Sequence, residues 1–283
     1  MSELINFIAK FFIFRYRDHT LEAVLKKSTH LLDSQTIEEV CERTNSFITK
    51  EGGFCDRAGK TDLYYSLFGT FVCDAILPGK NDENLKEYIQ KLHLSSEYQG
   101  VYLYCAAIIN YKLFAEDKIS KRLRNLVWEA LQQNLKKPDY NLFLGILCLY
   151  VHKDYFSIFK MLRKIDFDEA KNDLPCPVLA AKAIILKASG KDVKKAEMEL
   201  MNFYRGNGSF GALKNAPKGD LLSTAVALFA LQFMGADLRL IKPECLAYID
   251  SLYENGSFRA TELDFDTDIE YAFYGLLALG SLV

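Results

Sequence analysis

Apolar residues along this chain fall into two kinds of segment that alternate. One kind is apolar nearly all round and follows Asp62, Asp139, Asp220 and Asp268, with two further runs at 98–107 and 177–186. The other kind, near 34–49, 84–93, 117–134, 154–164, 191–204 and 240–254, carries a single apolar stripe, as Leu123, Val127 and Leu131 do. A helix apolar on every side belongs in an interior, and one apolar along a stripe belongs on an outer layer. Six inner and six outer helices in alternation predict an all-α fold, an (α/α)6 toroid of helical hairpins. The gaps of 77 and 81 residues between Asp62, Asp139 and Asp220 are each about twice a ~40-residue repeat, which is where the two further runs fall.

The repeat has its own punctuation. Asn207-Gly208-Ser209-Phe210 recurs 48 residues on as Asn255-Gly256-Ser257-Phe258, and each Phe has an Asp ten residues later, Asp220 and Asp268. Gly52-Gly53-Phe54 followed by Asp62 is a third copy. Each Asp precedes an apolar run, as an N-cap does when its carboxylate accepts from the first free N–H groups of a helix. No linker or composition break divides the chain, so residues 34–283 read as one toroid domain. Residues 1–33 read as one or two extra helices packed on it. The apolar stretch 4–14 is interrupted by Lys10 and followed by Arg15, Arg17 and Asp18, which fits a docking helix, with a membrane-surface contact as the alternative.

The formal net charge of -2 gives no basic footprint for nucleic acid. Seven scattered cysteines without CxxC spacing fit reduced core thiols in the cytoplasm, and with four histidines they provide no zinc cluster. No transmembrane segment is expected.

Chemistry must come from what differs between copies. The first places Arg57 and Lys60 with Tyr64 and Tyr65 around one inner-helix start, a natural anion site, although both cations also suit a solvated loop. The last has Asp264 and Asp266 in addition to Asp268, where the second copy has Ala216 and Lys218. Extra carboxylates there could share a proton, orient a substrate or hold a divalent cation through a diphosphate; as loop acids they would stabilise the helix end.

Gly52-Gly53-Phe54 with Asp62-Leu63-Tyr64-Tyr65-Ser66, the run Ala216 to Thr224, and Asp268 to Gly275 resemble the bacterial prenyltransferase/squalene-cyclase repeat proteins. These are relatives of the protein prenyltransferase β subunit and of the terpenoid cyclases, and the resemblance runs from about residue 50 to the end. It implies a central aromatic funnel for a prenyl diphosphate, with Arg57, Lys60 and Tyr65 as the diphosphate set. Asp62 then matches the zinc Asp, but Tyr64 stands where the family has the zinc Cys and Ser223 where it has the His. Zinc is therefore not expected, and magnesium would enter only with a diphosphate. Asp264-Phe265-Asp266-Thr267 resembles the first three positions of the cyclases' DxDD motif, with Asp266 as the acid. The family's prenyltransferases work with a separate α subunit, so a protein partner is an open expectation.

The leading expectation is a prenyltransferase-like protein that binds a prenyl diphosphate and transfers the prenyl group without the usual zinc site. The alternatives are a protonation-initiated cyclase using Asp266, with Asp264 beside it, and a non-catalytic isoprenoid-binding or scaffold toroid. Whether the chain is an enzyme stays open.

Overall fold

The computed structural model describes residues 17–77, 83–95, 98–133, 140–162, 164 and 174–283. The apolar stretch 4–14 and the helix start expected at Asp139 lie outside them. The chain is predominantly helical, with thirteen α-helices among the described residues and one two-stranded hairpin.

The all-round apolar segments form α3 (Leu63–Ile76), α5 (Gly100–Phe114), α7 (Tyr140–Val151), α9 (Cys176–Ala188), α11 (Leu221–Met234) and α13 (Ile269–Ser281). Between them run the amphipathic α2 (Ser34–Ser46), α4 (Glu83–Ser95), α6 (Lys118–Gln133), α8 (Tyr155–Leu162), α10 (Lys194–Met201) and α12 (Lys242–Leu252). In front lie α1 (Leu21–Lys27) and short 3-10 turns at Arg17–His19 and Ser28–His30. α3 packs on α5, α5 on α7, α7 on α9, α9 on α11 and α11 on α13, while α13 also packs on α3 and on α1. Ten consecutive residues of α13, Ala272 to Ser281, are buried, as an apolar run surrounded by other helices should be.

The repeated aspartates cap helices. Asp62 Oδ1 accepts from the N–H groups of Tyr64 and Tyr65, Asp220 Oδ1 from Ser223, and Asp268 Oδ1 from Tyr271. The hydroxyl one turn into the helix completes the unit. Ser66 Oγ donates to the Asp62 carbonyl at 2.7 Å and accepts the Phe54 N–H at 2.9 Å; Thr224 does the same between Asp220 and Phe210. In the last copy that position is Ala272, and Ser257 Oγ donates to the Asp268 carbonyl instead. Each unit thereby pins its buried Phe over the helix start.

The turn glycines locate the next unit. Asn255 (φ 48) and Gly256 (φ 82) form the bend between β1 (Tyr253–Glu254) and β2 (Ser257–Phe258), an Asn-Gly pair suited to positive φ. A Cβ on Gly52 would strike the Asn84 carbonyl in α4, and one on Gly208 the Glu244 carbonyl in α12. On Gly256 it would strike the Glu39 carbonyl in α2. The last turn thus meets α2 as the earlier turns meet α4 and α12. Tyr253 to Glu39 (2.7 Å) and Arg43 to Thr267 (2.8 Å) bind the same junction.

Candidate functional site

The first repeat turn is shaped by Asp56, whose Oδ1 accepts the N–H groups of Ala58 and Lys60, both at 2.9 Å. Beside it, Asp56, Arg57, Asp62, Tyr64, Tyr65 and Tyr102 are among the residues lining an open pocket of about 530 Å³. Tyr102 donates to Asp62 Oδ2 at 3.0 Å, so this carboxylate serves the helix cap and a phenol together. Of the four residues expected to bind substrate, Arg57, Tyr64 and Tyr65 line the pocket. Lys60 is exposed on the turn and is not part of the lining.

Arg57 reaches across to the last repeat. Its Nε donates to Asp268 Oδ2 at 2.6 Å and its Nη2 to Asp264 Oδ2 at 2.9 Å, with the guanidinium carbon 5.5 Å from the Tyr271 ring centre. Burial works against the Arg57 charge, but the two carboxylates outweigh it and hold the guanidinium more firmly protonated than an ordinary arginine. Burial likewise pushes the Asp264 pKa up, and the Arg57 hydrogen bond overcomes it, leaving the carboxyl below its usual value. Two carboxylates, Asp56 and Asp62, line the pocket with Arg57, and two more hold it. An incoming diphosphate meets net negative charge.

Asp264 and Asp268 are therefore brought together with Arg57, while Asp266 is exposed and lines neither this pocket nor the one described below. Its N–H donates to Asp264 Oδ1 at 3.2 Å.

A half-buried acid of this region, Glu270, is one that sequence reasoning passed over. Tyr64 donates to its Oε1 at 2.9 Å. Burial pushes the Glu270 carboxyl up to about 7, with Asp268 adding to the rise and the Tyr64 hydrogen bond and Arg57 charge opposing it. Burial also raises Tyr65, to about 12. The sequence did hold a signal: Glu270 is the one charged residue in the apolar run Ile269–Ser281. Below the pair, aromatic rings fill the α3–α13 interface. Tyr64 meets Phe68 edge-on at 4.8 Å, and Phe68 lies 5.0 Å from Phe273 and 5.7 Å from Tyr274. A carboxyl near neutrality beside a phenol can take up and release a proton.

The donor set does not fit zinc. Tyr64 bonds Glu270, Ser223 is a buried residue at the start of α11, and among the described residues no three His, Cys, Asp or Glu side chains gather as ligands.

Asp220 lies elsewhere, at the start of α11. It lines a second pocket, of about 360 Å³, and burial pushes its carboxyl above the usual value. No helix among the described residues is long and apolar enough to cross a membrane. No protein-family model matches the chain, and no curated protein matches its sequence.

Proposed function

We propose that this chain is a six-unit α/α toroid of the prenyltransferase-like kind. In this reading it binds an isoprenoid-type ligand, at the end where the inner helices start, without diphosphate or zinc chemistry. The toroid is supported by the order of helix contacts, which leads from α13 back to α3, and by the Gly256 turn seated on α2. The observation that carries the functional reading is the double ion pair of Arg57 with Asp264 and Asp268. It spends the pocket's cation on joining the last repeat to the first. Prenyl transfer needs that cation on a diphosphate, with Lys60 beside it, and Lys60 is turned to solvent. The seven free cysteines support a cytoplasmic location. Incubation with farnesyl diphosphate and an acceptor extract should release no diphosphate above the buffer rate, while farnesol binds in calorimetry. Sustained release that disappears in Arg57→Ala would reinstate the transferase.

The Tyr64–Glu270 pair favours a second reading, a proton-transfer enzyme with Glu270 rather than Asp266 as its acid or base. A carboxyl near 7 suits exchange with an oxygen or nitrogen better than protonation of an alkene, which needs a stronger acid. Loss of a product-forming activity in Glu270→Gln would support it.

A further inference from the structure

Two of the outer helices carry an excess of positive charge. α6 and α8, with the residues beside them, expose Lys118, Lys121, Arg122, Lys153, Lys160 and Lys164, and none of these six cations makes an ion pair among the described residues. The exposed acids there are Glu116 and Glu129. Asp117 caps α6 through the Ser120 N–H, and Asp154 serves Ser157 and Arg124. The Arg124–Asp154 contact at 3.9 Å and the Lys160 Nζ, 5.6 Å from the centre of the Trp128 ring, set the two helices side by side. Phe156, 36% exposed, stands one turn before Lys160 on α8. The face is basic with aromatic side chains set into it, and cations gathered without counter-charges attract an anionic partner.

The loop that precedes α13 has the opposite character. Glu262-Leu263-Asp264-Phe265-Asp266 alternates acid and apolar. Leu263 is 69% exposed and Phe265 87%, between Glu262 and Asp266, which are exposed as well. Arg57 holds Asp264 and so anchors the loop, whereas Glu262 and Asp266 make no ion pair among the described residues. Two large apolar side chains held in water on one anchored loop are stabilised by burial against a partner. α13 packs on α3 and α11, and α6 on α5 and α7, so the loop and the face of one chain stand on different hairpins.

We infer that this chain self-associates, the 262–266 loop of one copy docking on the α6–α8 face of another. Glu262 and Asp266 then meet cations of the face, and Leu263 and Phe265 leave water against Phe156 and Trp128. A polyanion would satisfy the face and leave the loop uncovered; a basic protein would cover the loop and leave the face. A second copy satisfies both, because every copy carries both halves of the contact. The inference stands apart from what either pocket binds.

Sedimentation velocity tests it on wild type, Lys121→Glu/Lys160→Glu and Leu263→Ser/Phe265→Ser, with far-UV circular dichroism showing that both variants are folded. All four positions are exposed, so the core is untouched. Wild type should associate as its concentration rises, and raising salt from about 0.05 M to about 0.5 M should weaken that association about tenfold or more. Each variant alone should stay monomeric. An equimolar mixture of the two should form a heterodimer, since the first keeps an intact loop and the second an intact face. Wild type that stays monomeric at every concentration would overturn the inference, as would association that either variant retains, or folded variants that fail to pair when mixed.

Discussion

Replacing Arg57 by alanine should loosen the junction between the first and last repeats. The removed guanidinium makes two ion pairs, one to Asp268, whose side chain is 3% exposed, and one to Asp264, at 19%. Removing one partner of a fully buried pair costs about 3–5 kcal/mol, whereas an exposed pair is worth roughly 0–1 kcal/mol. Arg57 itself is 37% exposed, so solvent screens part of the interaction. Asp268 also keeps its cap bond from the Tyr271 N–H. The expected loss is therefore intermediate, about 2–3 kcal/mol. For a chain of this size that is a fall in melting temperature of roughly 4–12 °C. Scanning calorimetry would measure it, with Lys60→Ala as the control, since Lys60 is exposed on the same turn. A double-mutant cycle with Asp264→Asn separates the weaker arm of the clasp. A shift below about 1 °C in Arg57→Ala, or an equal shift in Lys60→Ala, would refute the idea that Arg57 joins the repeats.

Further consequences follow from neighbouring groups. The Glu270 pKa lies above that of an unfolded glutamate, so its contribution to stability is full below about 4.5 and is lost as pH rises through about 7. Melting curves between pH 4 and 8 should show that decline, at most about 1.4 kcal/mol per pH unit, and Glu270→Gln should flatten it; an unchanged profile would count against the assignment. Thr224→Val strands the buried Phe210 N–H and should cost about 1–3 kcal/mol in denaturant unfolding. Gly275→Ala drives a methyl into the Phe258 ring, as Gly69→Ala does with Phe54, and each should cost about 1–3 kcal/mol. A neutral effect at both glycines would mean that the repeated Phe is loosely held.

What was legible in the chain is what repeats locally. The alternation of all-round apolar and striped segments located the helices, because burial on one side or on all sides is written in residue spacing. Asp62, Asp220 and Asp268 announced helix starts because a cap and its helix are neighbours in sequence. The partners of Arg57 were not legible: Asp268 lies 211 residues away, and only the meeting of first and last repeats brings them together. Reading Arg57 and Lys60 as a pair assumed that adjacent cations point the same way, whereas the Asp56 turn sends one to the pocket and the other to solvent. Asp266 drew notice from a DxD pattern, whereas the carboxyl whose pKa desolvation raises is Glu270, four residues on in the apolar run. Tyr248 sits within an ordinary amphipathic stretch, and nothing in its spacing marks a buried hydroxyl that has no partner among the described residues.

The most direct measurement is a calorimetric titration of farnesyl diphosphate, with and without magnesium, into wild type and into Arg57→Ala/Lys60→Ala. With Arg57 held by Asp264 and Asp268, wild type should bind the diphosphate no more tightly than farnesol, and the double substitution should not weaken it. Tight diphosphate binding that is lost in the double variant would contradict that account and return Arg57 to substrate recognition.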